Sequence, residues 1–81
     1  MKISDLLKGM IEGHEIEGKR AVRESDLMMI ETIYVNGEDT GLIFFPETFM
    51  DLLALHGKEA QWAYVDEVKG AVEQWIEENE K

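Results

Sequence analysis

The chain has 81 residues, no cysteine, 18 acidic against 8 basic side chains and a formal charge of −10. That length is one domain, 1–81, with a small core, and the missing cysteine excludes disulfides, zinc–thiolate sites and cysteine nucleophiles. So large a surplus of carboxylates argues against direct binding to nucleic acid or to an anionic membrane surface, both of which need dense Lys and Arg, and favours a partner with a basic groove.

Charges stand within the first five positions and no long apolar run follows, so neither a signal peptide nor a membrane span is expected, and a cytoplasmic location is. Ile3, Leu6, Leu7, Met10 and Ile11 recur at helical spacing, which predicts a helix over 4–12 with Ser4 as its N-cap and Gly13 as its stop. Residues 18–23 suit a short edge strand guarded by charge. Residues 27–35 are rich in β-branched and aromatic types and predict a second strand. A polar stretch of Asn, Gly, Glu, Asp and Thr follows, then a third strand over 42–45 that Pro46 ends, so the two runs read as a hairpin. Helices are predicted over 47–56 and from about 58 onward. The last carries one apolar stripe (Trp62, Val65, Val68, Val72, Trp75, Ile76) and an acidic stripe of Asp66, Glu73, Glu77 and Glu80.

The expected fold is α+β: a three-stranded antiparallel sheet with helices packed on one face, in the order α-β-β-β-α-α. Alternation along 27–35 sets Leu27, Met29, Ile33 and Val35 on one face and Met28, Ile30 and Tyr34 on the other. Part of the second face, with Phe44 or Phe45 beside it, is therefore expected to be covered by the chain itself or by a partner.

Enzyme signatures are missing. No glycine-rich phosphate loop opens a helix, and nothing in the spacing brings Ser4 or Ser25 to His14 or His56. No catalytic residue or cofactor is therefore expected. Glu12, His14, Glu15 and Glu17 could ligate a divalent ion, but a solvated turn accounts for them more simply, so no metal is expected either. His56 reads as a residue complementing a helix dipole. Lys19, Arg20 and Arg23 form one basic patch, best explained as guarding an edge strand and balancing Glu15, Glu17 and Glu24. Trp75 is expected in the core and Tyr64 outside it, while Trp62 fits either place.

The first forty residues carry 5 basic and 9 acidic side chains and the remainder 3 and 9, with a dense acidic group in the last helix. Solubility alone explains such a surface. The sharper alternative is an array that imitates nucleic-acid phosphates and occupies a basic channel.

The opening Met1-Lys2-Ile3-Ser4-Asp5-Leu6-Leu7 is similar to an M-x-I-x-D-L-[IL] start, and Val35-Asn36-Gly37-Glu38-Asp39-Thr40-Gly41 falls where a hairpin of like character would. With its element order and acidic last helix, the chain resembles the small acidic phage-encoded inhibitors of type II-A CRISPR nucleases, the anti-CRISPR proteins. That family carries a long acidic run ahead of its last helix, where this chain has the nearly neutral residues 58–64. The resemblance implies a non-enzymatic DNA mimic acting inside a bacterial host cell on an RNA-guided effector nuclease. It further implies that Asn36, Glu38, Asp39 and Thr40 of the hairpin, with Asp66 and Glu67 of the helix, fill the site where the nuclease reads its short DNA tag. The alternative expectation is a small structural or interaction module, possibly a homodimer, that uses the second sheet face.

Overall fold

A computed structural model describes residues 3–79; Met1, Lys2 and Glu80, named above, lie outside them. The elements are α1 (Ile3–Met10), β1 (Ile16–Val22), β2 (Met29–Val35), β3 (Glu38–Phe44), α2 (Pro46–His56) and α3 (Lys58–Asn79). The three strands form one antiparallel sheet in the order β1-β2-β3, so the α+β architecture and its element order are as expected. None of the described helices is long and apolar enough to cross a membrane.

The helices share one face of the sheet. Glu31, Ile33 and Val35 on β2 are buried; Ile33 and Val35, with Ile16 and Phe44, form the apolar core with Ile3, Leu7 and Ile11 from the first helical segment and Val65 and Val72 of α3. The intervening Ile30, Thr32 and Tyr34 are half-buried on the opposite face, turned away from the described core helices. Burying a side chain of this kind contributes about 1.5–3 kcal/mol, so nine such residues hold the three layers together against chain entropy.

Several boundaries differ from the sequence expectation. The first helix starts at Ile3, so Ser4 lies within its first turn and is buried; it is not the cap. Leu27 belongs to no strand. It sits at φ 57° and is 78% exposed in the loop between β1 and β2. Asp26 organises that loop: its carboxylate takes Nε and Nη2 of Arg23 and the Met28 amide.

The third strand begins four residues earlier than expected. Asn36 and Gly37 both have positive φ, 51° and 84°, which makes a two-residue turn whose twist matches the strands it joins. Val35 therefore pairs with Glu38 at once, and the polar residues 38–41 are strand rather than loop. Between the pairs Thr32–Ile43 and Tyr34–Asp39 the register slips, so that residues 40–42 face the single residue Ile33. The Thr40 hydroxyl bridges this bulge, donating to the Ile33 carbonyl at 2.6 Å and accepting the Leu42 amide at 3.1 Å.

Candidate functional site

Alternation along β1 divides the expected basic patch. Register pairs Arg20 with Glu31 on the helix side, while Lys19 lies on the outer side. There its ammonium stands 4.3 Å from the centre of the Tyr34 ring, and the Arg23 guanidinium lies 5.4 Å from that of Phe45. The three cations thus have separate partners, and among the described residues none of them forms an ion pair with Glu15, Glu17 or Glu24. The same parity settles which phenylalanine borders the outer face. Phe44 is buried under the helices, and Phe45 joins Met28, Ile30, Tyr34 and Ile43 outside. The stems of Lys19 and Arg23 cover part of that face, so the chain itself supplies some of the cover.

Glu31 is a buried charge that no expectation from the sequence includes. It is 0% exposed. Its Oε1 accepts Arg20 Nε at 3.0 Å, and its Oε2 has no hydrogen-bond partner among the described residues. Gly18 makes room for it, since a Cβ there would stand 2.6 Å from the carboxyl carbon. The signal was present in the period-2 pattern: Glu31 falls on the same face as Met29, Ile33 and Val35.

The six residues expected to form a recognition site do not form one surface. The Asn36 side chain accepts the Glu15 amide at 2.9 Å, and its own amide donates to the Glu15 carbonyl at 2.8 Å. Asp39 accepts the Gly41 amide at 2.8 Å. Asn36, Asp39 and Thr40 therefore shape the hairpin. The hairpin end packs on the C-terminal part of α3, where Val35, Asn36, Glu38, Trp75 and Asn79 line a cleft of about 90 Å³. Asp66 and Glu67 are elsewhere on that helix. At 1.5 Å and 100° per residue, Asp66 lies about 13 Å from Trp75 along the axis and about 180° round it, and Glu67 points about 100° away from Asp66.

The acids of α3 have their own arrangement. Glu59, Asp66, Glu73 and Glu77 are exposed and fall about 160–180° round the helix from Trp75, forming one flank. Glu67 and Glu78 are exposed on the outward face. Gly70, which has no side chain, leaves a dip there bordered by Glu73, Gln74, Glu77 and Glu78. Lys69 pairs with Glu73 at 3.3 Å across one turn. An unbroken ridge from the hairpin to the helix is thus absent among the described residues, while a single-helix anionic flank is present.

The aromatic residues are distributed differently from expectation. Tyr64 is half-buried: its hydroxyl accepts the Phe45 amide at 3.2 Å and its ring stands 5.1 Å from that of Phe44. The flank of α3 that bears it faces the junction of β3 and α2, which an α3-only apolar stripe does not reveal. Trp75 is half-buried against the hairpin, and Trp62 is 47% exposed. Near the first helix, the His14 ring and the Glu12 carbonyl lie 3.2 Å apart. Among the described residues no three His, Asp or Glu side chains gather as metal ligands.

The chain matches no protein-family model, no curated protein and no solved structure.

Proposed function

We propose that this protein is a non-enzymatic acidic inhibitor that occupies a basic nucleic-acid channel, of the kind an RNA-guided CRISPR effector nuclease presents, and that it binds through the anionic flank of α3. The observation that carries this reading is the row of four exposed carboxylates, Glu59, Asp66, Glu73 and Glu77, along one flank of a 22-residue helix, with Glu67 and Glu78 exposed on the outward face beside it. At 1.5 Å per residue the four are spread over about 27 Å, one every 9 Å or so on average. One strand of duplex DNA carries a phosphate every 3.4 Å or so along the axis, so the flank offers somewhat more than a third of that density on a rigid rod. The hairpin acids Glu38 and Asp39 are assigned no direct part, because Trp75 and the helix stand between them and the flank. The anti-CRISPR resemblance supports the choice of target and rests on the element order and the acidic last helix.

The outer sheet face favours a second reading, an interaction module that dimerises there. Its five apolar side chains speak for it. Its size speaks against it: three strands about 4.8 Å apart and seven residues long make a face of roughly 300 Å², against about 800 Å² per partner in a standard interface.

The test is binding to such a nuclease as salt is raised, with and without DNA. Affinity that falls steeply with salt and binding that excludes DNA are expected. Replacing Glu59, Asp66, Glu73 and Glu77 together by Gln or Asn should abolish inhibition, and E38Q with D39N should leave it intact. Simultaneous binding with DNA, or insensitivity to salt, would overturn the proposal.

A further inference from the structure

Next to the buried Glu31 lies a cleft of about 210 Å³ lined by Ile3, Arg20, Phe44, Pro46, Phe49 and Met50. It opens between the start of α1, the far end of the sheet and α2. Five of its six wall residues are apolar and the sixth is a guanidinium.

We propose that this cleft binds a small carboxylate bearing one ring or a branched apolar chain, with Arg20 receiving the carboxylate. An apolar cavity of about 150 Å³ accepts benzene, so the present volume suits a ring with a short acid arm. Phe44 and Phe49, with ring centres 5.6 Å apart and inclined at 57°, give one wall aromatic character. Arg20 gives only its Nε to a described residue, Glu31. Its two terminal amino groups remain for a ligand, and they present the paired donors that match a carboxylate. Its side chain is 39% exposed, so an incoming anion reaches it without opening the core. Glu31 sits behind it, sealed from solvent, and holds the guanidinium at the cleft wall. This site takes a small anion at Arg20, whereas the acids of α3 take a basic protein, so the two proposals rest on different residues and different probes and fail independently.

A free acid and the C-terminal residue of a peptide offer the same chemistry. Titration followed by amide NMR should use 3-phenylpropionate and a short peptide ending in Phe, each beside its amide. Saturable binding at roughly 1 mM or below is expected for one or both acids, with shifts at the lining residues. The tighter of the two identifies the source, and each amide should bind about tenfold more weakly or worse. Met50 is 60% exposed on α2, so M50W fills the cleft from its mouth without disturbing the buried pair; it should abolish binding and leave the melting temperature intact. Acids and amides binding alike, no shift at about 10 mM acid, or unchanged binding in a folded M50W protein would overturn the proposal.

Discussion

Truncating Arg20 to Met leaves the Glu31 carboxylate inside the protein without the charged partner it has among the described residues. Breaking a buried ion pair from one side typically costs about 3–5 kcal/mol. Here the Arg20 side chain is 39% exposed, so water can follow the truncated side chain toward Oε1, and the lower figure of about 2–3 kcal/mol is appropriate. A domain of this size has a total stability of roughly 4–12 kcal/mol, and each kcal/mol moves its midpoint by about 4–8 °C. R20M should therefore melt about 10–20 °C lower by circular dichroism. Adding E31L removes the stranded charge. Because replacing a whole buried pair by apolar groups is often neutral or stabilising, the double variant should recover most of that loss. Urea denaturation of both single variants and the double variant closes the cycle. A loss below about 0.5 kcal/mol for R20M, or a double variant less stable than R20M, would show that Glu31 is not held as described.

Gly18→Ala forces a methyl group within 3 Å of the Glu31 carboxyl group and should cost about 1–3 kcal/mol; E31A in the same chain should relieve it, which a chemical-denaturation pair checks. Asn36→Ala loses the bond to the Glu15 amide and strains a backbone at φ 51°, so a cost of about 1–2 kcal/mol is expected. Hydrogen exchange at Glu15 should rise in the same variant. The Arg23 guanidinium holds the Asp26 carboxyl below its ordinary value of 3.8, with help from the Met28 amide. Its stabilising contribution is thus present above that value and is lost as the pH falls through the lower folded value. A carboxyl-carbon NMR titration should place Asp26 below 3.8, and R23A should bring it back up; an unshifted Asp26 in the parent protein would refute the pairing.

The amino-acid sequence alone determined the three strands, the three helices and their order, because each apolar pattern has a period that a helix or strand imposes whatever surrounds it. Residues 62–76 read as one helical stripe, and Val65 and Val72 are indeed its buried line. Asn36-Gly37 likewise encodes its own turn through two positive φ values. Tertiary structure decided how far strand pairing reaches beyond that turn, because the poor strand formers 38–41 are ordered by hydrogen bonds from β2 and by the Thr40 bridge. Only the assembled layers could show that Tyr64 meets the Phe45 amide, that Arg20 reaches across to Glu31, and that Trp75 stands between the hairpin acids and the acids of α3. Those relations depend on the direction in which separate elements face one another, and local sequence carries no record of direction between elements far apart in the chain.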